Sequence, residues 1–224
     1  MPLLFLIHPD PAATFAAWHI TEEEAFFYTH TELSKEEQSE FDTLKGPRRL
    51  EWLAARWLLH HISGREVRLP LAKDAFSKPF FPDAGHLACS LSHSHGIVGA
   101  LLVDSGRSDC GCDIQVLVEK MPRLAHKFLR PEEDKFIRNY SGEEQFVLQH
   151  LFWTAKESLY KSYGLKALDF REHLQVLSFR WDGRRANTQG IVQKGDIRQQ
   201  YRLFSALARP DEAPAFTWTV CLPD

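Results

Sequence analysis

The strongest local constraint on this chain is a helical pattern at residues 143–163. Its apolar residues recur at spacings of four, three and four, which places them on one face of a helix. They are Leu148, Phe152, Ala155 and Leu159. Gly164 follows, at a position where helices commonly end in the left-handed conformation. The pattern therefore predicts a long helix that buries one stripe of side chains against a core.

A second face of this helix carries charge. Glu157 and Lys161 are four residues apart and share a face with Trp153, while Lys156 directly precedes the glutamate. A glutamate–lysine pair at this spacing stabilises many solvated helices by a few tenths of a kcal/mol and needs no functional role. That explanation gives no reason for a large aromatic residue outside the apolar stripe. We therefore interpret this face of the helix as functional.

An acidic residue earlier in the chain complements the charged face. Asp113 lies near the end of a strand-like segment, where a lone aspartate is more often a turn or hydrogen-bonding residue than a metal ligand. Carboxylates can hold a divalent cation, however, and ammonium groups can meet phosphate oxygens. The combination of Asp113 with Glu157 and Lys161 therefore favours a site for a metal-bound diphosphate.

The composition restricts the class of protein. The chain has 224 residues, of which 44% are hydrophobic and 25% are charged, as in ordinary globular proteins. A net charge of −3 argues against a general nucleic-acid binder. No apolar run is long enough to cross a bilayer, and the N-terminus lacks the basic region of a signal peptide. Because the 4 cysteines are too few for a secreted disulfide scaffold, we expect a cytoplasmic protein that does not bind membranes.

Helical and strand-like segments occur in both halves of the chain. Residues 97–103 and 110–116, joined by the loop 104–109, are expected to pair as antiparallel strands. This loop is the best boundary, and it divides the chain into halves 1–105 and 106–224. Each half has helices and a few antiparallel strands, which predicts an α+β fold. Other expected helices are 48–62, 121–128 and 132–139, and other expected strands are 67–71, 87–91, 174–181, 190–192, 201–207 and 216–221.

The segment around Asp113 and the charged face of the long helix resemble the two signature motifs of the 4′-phosphopantetheinyl transferases. The resemblance is to the type of transferase that serves peptide and polyketide synthases. Gly111–Gln115 is similar to Gly-(Ile/Val)-Asp-x-Glu, and Trp153–Lys161 to Trp-(Ser/Thr)-x-Lys-Glu-(Ala/Ser)-x-x-Lys. Upstream, Ser77-Lys-Pro, Leu91-Ser-His-Ser and Arg48-Arg resemble further family segments. The resemblance implies an α+β protein of two similar pseudo-twofold halves, with a site between them, that works as a monomer.

The resemblance also implies an activity. The enzyme would transfer 4′-phosphopantetheine from coenzyme A to a serine of an apo acyl or peptidyl carrier protein, releasing adenosine 3′,5′-bisphosphate. Asp113, Gln115 and Glu157 in the second half would bind Mg²⁺, and Lys161 would neutralise the diphosphate and the leaving group. The first half would bind the nucleotide end of coenzyme A, including its 3′-phosphate. The residues implied for this are Arg49, Lys78, Ser92 and His93.

The chain departs from the family at Gln115, where a glutamate is usual. A neutral amide oxygen can coordinate Mg²⁺ or hold a ligated water, but it adds no negative charge. Two carboxylates, Asp113 and Glu157, suffice in principle, since Mg²⁺ fills its remaining positions with waters and substrate phosphates. We therefore expect weaker apparent Mg²⁺ binding and an altered preference for Mn²⁺.

Three roles are left open by the sequence. The proton of the attacking serine would pass to Glu157 itself or to a water positioned by Glu133, whose match to an acidic family segment is shared by Glu132. Lys156 fits either a catalytic role or a structural one. The segment 118–130 mixes apolar and basic residues. It fits a surface for an acidic carrier protein or an amphipathic helix packed on its own core.

Two other classes of function compete with the transferase. A zinc module would draw on soft ligands close in sequence, although their spacing follows no common zinc pattern. These ligands are Cys89, His93, His95, Cys110 and Cys112. A non-catalytic relative that only binds coenzyme A or a carrier protein is the second alternative. Gln115 is the residue that favours it, whereas the intact Asp113, Glu157 and Lys161 argue against it.

Overall fold

The helices and strands of the chain fall into two units. The computed structural model describes residues 3–104, 106 and 109–224. The first unit is Met1–Ser108 and the second is Asp109–Asp224. The expected boundary, after residue 105, falls in a loop that the structure describes only in part.

The first unit is an antiparallel sheet with helices on one face. Its elements are β1 (Leu3–Asp10), β2 (Ala13–His19), α1 (Glu24–His30), α2 (Lys35–Thr43), α3 (Pro47–Ser63), β3 (Ala72–Lys73), β4 (Pro79–Phe80), β5 (Leu87–Ser94) and β6 (Ile97–Asp104). The main sheet has 4 strands in the order β1-β2-β6-β5, and β3 pairs with β4. Helix α3 packs on this sheet because its apolar stripe, which includes Leu53 and Leu58, is fully buried.

The ends of α3 follow from its flanking residues. Gly46 has a φ of 60°, Pro47 occupies the first turn, and Gly64 caps the end in the left-handed conformation. The predicted helix 48–62 is therefore confirmed to within a residue. The strand predicted at 67–71 is wrong, because Pro70 has no N–H to donate to a strand ladder and Arg68 instead binds the buried carboxylate of Glu37.

The second unit is a larger antiparallel sheet covered by one long helix. Its elements are β7 (Gly111–Val116), α4 (Met121–Leu124), a 3₁₀ turn (Ala125–Lys127), α5 (Pro131–Ile137), α6 (Gly142–Tyr163), β8 (Leu174–Val176), β9 (Arg185–Lys194), β10 (Ile197–Ala208) and β11 (Phe216–Pro223). The sheet has 5 strands in the order β7-β11-β10-β9-β8. The strand predicted at 174–181 is thus limited to its first residues, and the helix predicted at 121–128 is split between α4 and the 3₁₀ turn.

The pairing predicted between 97–103 and 110–116 is wrong. Strand β6 pairs with β2 and β5 inside the first unit, whereas β7 pairs with β11 inside the second. The two segments are neighbours in sequence, but the chain passes from one unit to the other between them. Strand β7 therefore finds its partner at the far end of the chain, through a long-range register that local sequence does not encode.

Helix α6 is the prediction that the structure confirms most closely. The stripe Leu148, Phe152, Ala155 and Leu159 is buried in the core of the second unit. Gly164 is left-handed and its N–H donates to the carbonyl of Tyr160, as expected of a C-cap. With antiparallel sheets in both units, the α+β class is confirmed. In the described ranges, no helix has the length and apolar character needed to traverse a bilayer.

Candidate functional site

The aspartate of the first motif lies against helix α6. Side chains alternate along β7, so Gly111, Asp113 and Gln115 share one face of the strand. Gly111 allows the strand to approach α6 closely: a Cβ at this position would lie 2.2 Å from the backbone carbonyl oxygen of Ser158. Only glycine fits at position 111 for this steric reason, and the close approach lets the carboxylate of Asp113 reach the helix.

Helix α6 supplies the two remaining charged groups. Glu157 and Lys161 lie one turn apart. The ammonium of Lys161 donates a 2.8 Å hydrogen bond to Oδ1 of Asp113 and a 2.9 Å bond to the carbonyl oxygen of Cys112. The charges that act on Glu157 are those of Asp113 and Lys161. The structure thus brings these three predicted residues into one electrostatic cluster, which we call the carboxylate cluster.

The carboxylate cluster holds an excess of negative charge. Burial, followed by repulsion from Asp113, raises the pKa of Glu157 to about 7, although Lys161 acts in the opposite direction. Burial disfavours the charged form of Lys161, yet the carboxylates of Asp113 and Glu157 raise the pKa of its ammonium. One buried and one partly buried carboxylate, with a single lysine between them, can accept a further positive charge. Hard oxygen ligands in such a setting suit Mg²⁺ or Mn²⁺.

Gln115 is partly buried on the same face of β7 as Asp113. Its side-chain amide nitrogen donates a 2.9 Å hydrogen bond to the carbonyl oxygen of Val116, which fixes the orientation of the amide. In the part of the chain that the structure describes, no three histidine, cysteine, aspartate or glutamate side chains are grouped as a metal site. The zinc alternative therefore gains no support, and all four cysteines are buried.

Glu133 lies in a different setting from the carboxylate cluster. Its carboxylate is 3% exposed and pairs with the ammonium of Lys156 at 2.6 Å. It also accepts the backbone N–H groups of Arg130 at 2.8 Å and Val176 at 2.9 Å. These partners use both oxygens of Glu133. The hypothesis that Glu133 positions a water for catalysis therefore gains no support from this geometry.

Trp153 has a packing role that the sequence did not suggest. Its ring stacks on Phe170 with 5.5 Å between ring centroids and meets Phe128 edge-on at 5.1 Å. Tyr160, two turns further along α6, also stacks on Phe170, with 5.7 Å between ring centroids. The aromatic residue outside the stripe of α6 is therefore explained by packing at the edge of the core rather than by the chemistry of Glu157. We call Phe128, Trp153, Tyr160 and Phe170 the aromatic cluster.

The residues expected to bind nucleotide all lie in the first unit. Arg49, in the first turn of α3, donates to Glu24 at 2.8 Å and covers the ring of Phe41. His93 lies at the end of β5, with its Nδ1 2.8 Å from Oε2 of Glu51. Burial opposes ionisation of Glu51, but the hydrogen bonds from His93 and from a backbone N–H lower its pKa. His93 and Arg49 thus both lie near the start of α3.

Ser92 and Lys78 have surroundings that differ from those of Arg49 and His93. Ser92 is buried and, by alternation along β5, faces away from His93. Lys78 follows Ser77, whose φ of 72° is unusual for a residue other than glycine. The turn is held by Asp74, which accepts the backbone N–H of Lys78 at 2.8 Å. The sequence did not single out Glu24 and Glu51, because their pairing with Arg49 and His93 depends on tertiary packing.

The segment 118–130 divides into a buried and an exposed side. Met121 and Phe128 are almost fully buried in the core of the second unit, as the amphipathic alternative predicted. Lys120, Arg123 and Lys127 are exposed. The exposed side thus carries these three basic residues together with Glu119 and Pro122, and we call Lys120, Arg123 and Lys127 the basic surface.

Comparison with known proteins identifies relatives of the part of the chain that contains the carboxylate cluster. Residues 109–217 match the family model described as the 4′-phosphopantetheinyl transferase superfamily. The chain is 33% identical over 125 residues to the 4′-phosphopantetheinyl transferase AcpT of Escherichia coli strain K12. It is 31% identical over 122 residues to AcpT of Salmonella typhimurium.

These matches cover part of each protein. The aligned segment is 54% of this chain and 60% of the Escherichia coli relative. For the Salmonella typhimurium relative the shares are 54% and 62%. The residues matched by the family model include all of β7 and α6, and hence both halves of the carboxylate cluster. Residues 109–217, which include every charged residue of the carboxylate cluster, therefore match a region of the 4′-phosphopantetheinyl transferase superfamily.

Proposed function

We propose that this chain transfers 4′-phosphopantetheine from coenzyme A to a serine of an apo acyl or peptidyl carrier protein, in a reaction that requires Mg²⁺. The observation that carries the proposal is the convergence of Asp113, Glu157 and Lys161, with the ammonium of Lys161 2.8 Å from Asp113. Two acids and a lysine in this arrangement suit a metal-bound diphosphate. The names of the relatives support the same reaction class.

In the proposed reaction, the serine oxygen forms a bond to the β-phosphorus of coenzyme A. The bond from that phosphorus to the bridging oxygen breaks, and adenosine 3′,5′-bisphosphate leaves with the bridging oxygen. Asp113 and Glu157 would hold Mg²⁺, with the amide of Gln115 beside them. When bound, the metal supplies positive charge that neutralises the diphosphate and the leaving group.

The residues of the chain would share the remaining work. The ammonium of Lys161 lies within the carboxylate cluster, where it would contact the diphosphate as well as Asp113. Of the two routes considered for the serine proton, only Glu157 belongs to this cluster, so Glu157 would accept the proton. The side chains of Arg49, Lys78 and His93 would bind the nucleotide of coenzyme A, whereas Ser92, buried on the opposite face of β5 from His93, would not contact it. The basic surface would favour an acidic carrier protein.

The test of this proposal is the intact mass of apo carrier proteins after incubation with the chain, coenzyme A and Mg²⁺. Carriers of the fatty-acid, polyketide and peptide-synthetase types are each tried. We expect one of them to gain a single phosphopantetheine unit, and the gain to disappear with EDTA and with Glu157→Ala. If no carrier gains mass while coenzyme A still binds, the chain is a non-catalytic relative and the proposal is wrong.

Restoring the missing carboxylate should change the metal requirement. In Gln115→Glu we expect the Mg²⁺ concentration for half-maximal activity to fall by about tenfold, because a third carboxylate adds charge to the site. The measurement is the transfer rate against Mg²⁺ and Mn²⁺ concentration. Gln193→Glu is the matched control, since it makes the same charge change at an exposed position of β9. An unchanged Mg²⁺ requirement in Gln115→Glu would show that residue 115 does not contribute to the metal site.

A further inference from the structure

Lys156 is the most deeply buried cation described in the second unit. Its side chain is 0% exposed, and its ammonium has four oxygen partners within 3.1 Å that replace water. They are the carbonyl oxygens of Phe128, Phe170 and Leu174, at 2.6, 2.8 and 3.1 Å, and Oε2 of Glu133 at 2.6 Å. An ammonium can be buried in this way only when hydrogen bonds and an opposite charge replace its lost hydration.

The partners of Lys156 come from separate segments of the chain. Phe128 and Glu133 flank the start of α5, while Phe170 lies between α6 and β8, and Leu174 is the first residue of β8. Glu133 binds the same two regions itself, because it accepts the backbone N–H groups of Arg130 and Val176. The Lys156–Glu133 pair is therefore a junction that joins residues 128–133 and residues 170–176 to the middle of α6.

The aromatic cluster reinforces this junction. Trp153 and Tyr160 lie three residues before and four residues after Lys156, so the three side chains share one face of α6. Trp153 contacts both Phe128 and Phe170, whose carbonyl oxygens accept from Lys156. The same two segments are thus held against α6 by apolar contacts and by buried hydrogen bonds.

We propose that Lys156 and Glu133 are a positioning pair, which sets the rotation of α6 so that Glu157 and Lys161 face Asp113. Glu157 is the next residue after Lys156, so a turn of the helix about its axis at this junction moves its carboxylate directly. In this role neither Lys156 nor Glu133 contacts substrate, and Glu133 is not the general base. The proposal rests on the proposed function, since it concerns the same metal site.

A double-mutant cycle tests the pair. The variants are Lys156→Met, Glu133→Gln and the two combined, with Lys135→Met at an exposed position of α5 as the control. Each single change leaves one buried group without its partner, so we expect the Tm to fall by about 10 °C. The combined variant should recover about half of that loss, because it removes both charges. Lys156→Arg keeps the positive charge but should still lower the Tm, since a planar guanidinium does not fit four acceptors around one nitrogen.

Readouts at the site separate positioning from stability alone. Below the Tm of each variant, Mn²⁺ binding followed by electron paramagnetic resonance should weaken by about tenfold in Lys156→Met. The transfer rate kcat should fall similarly, with the KM for coenzyme A changed by less than about threefold. In Glu133→Gln, the pH dependence of kcat should keep the wild-type shape, whereas loss of a general base would remove one limb of the profile.

The outcomes distinguish this proposal from the proposed function. Wild-type Mn²⁺ affinity in Lys156→Met would overturn the positioning role, even if the chain is an active transferase. A changed pH profile of kcat in Glu133→Gln, with no recovery of the Tm in the combined variant, would make Glu133 a catalytic residue. That result would also overturn the positioning role. A wild-type chain that binds no Mn²⁺ would defeat the proposed function, and the positioning role with it.

Discussion

Gly111→Ala is expected to lower transfer activity by about a hundredfold and to destabilise the second unit. The new methyl group would lie 2.2 Å from the carbonyl oxygen of Ser158, and 2.8 and 2.9 Å from the Oγ and N atoms of Ser162. Two of these three atoms belong to the backbone of α6, which cannot move aside as a side chain does. Strand β7 must therefore separate from α6, and Asp113, two residues further on, moves with it.

The size of the effect follows from two costs. Overpacking a close contact costs typically about 1–3 kcal/mol of unfolding free energy. A displacement of about 1 Å in a catalytic group can cost about a hundredfold in rate. The measurements are urea unfolding and the initial rate of carrier modification, with activity expressed per folded molecule. Activity retained in a folded Gly111→Ala variant would show that the contact between β7 and α6 does not position Asp113.

Gly190→Ala is the matched comparison for this prediction. Its added methyl group would lie 2.8 to 2.9 Å from atoms of Leu159 and Leu203, which are the ends of side chains. These can adjust, and neither belongs to the carboxylate cluster. We expect Gly190→Ala to lose stability but to keep its activity per folded molecule. Gly85→Ala, with no atom within 4 Å of the new group, should change neither property.

The sequence predicted α6 and its functional face because both depend on local periodicity. The stripe from Leu148 to Leu159 and the turn between Glu157 and Lys161 follow from 3.6 residues per turn, and Gly164 is the residue type that most readily takes the left-handed cap. The sequence combined Asp113 with Glu157 and Lys161 in one expected site, and the structure shows Asp113 in contact with Lys161. Nothing in the spacing of the residues alone fixes which strand lies against this helix.

The predictions that were wrong or incomplete share one physical cause, which is that they depend on long-range packing. The partner of β7 is β11, about a hundred residues away, and no local pattern distinguishes it from the nearer β6. Likewise, the chain offers no local signal that Glu133 pairs with Lys156, or that Trp153 packs on Phe170. Charged and aromatic residues near a motif can serve chemistry or packing, and only the tertiary contacts decide which.

Glu157→Gln is expected to change activity and stability in opposite directions. Activity should fall by at least about a hundredfold, because the metal site loses one of its two carboxylates. The metal-free protein should become more stable above pH 7. Its glutamate has a pKa of about 7, against an ordinary value of 4.5, because burial and Asp113 disfavour the charged form. Glutamine carries no such charge.

The pH dependence of this gain has a definite sign. Between pH 4.5 and about 7 the folded wild-type protein binds more protons at Glu157 than the unfolded chain does, so its stability falls as the pH rises. Glu157→Gln does not titrate there. The difference in unfolding free energy should therefore be near zero around pH 4.5 and reach about 1–3 kcal/mol above pH 7, after allowance for partial exposure.

Urea unfolding in EDTA at pH 5 and pH 8 measures this difference. Glu144→Gln is the control, since it removes the same charge from an exposed first-turn position of α6 and should show no comparable pH dependence. A gain for Glu157→Gln that is equal at both pH values would contradict the raised pKa. Added Mg²⁺ should reverse the order of stability at pH 8, because only the wild-type chain keeps both carboxylates. A carboxylate that weakens the metal-free fold yet strengthens the metal-bound one is retained for its ligand rather than for folding.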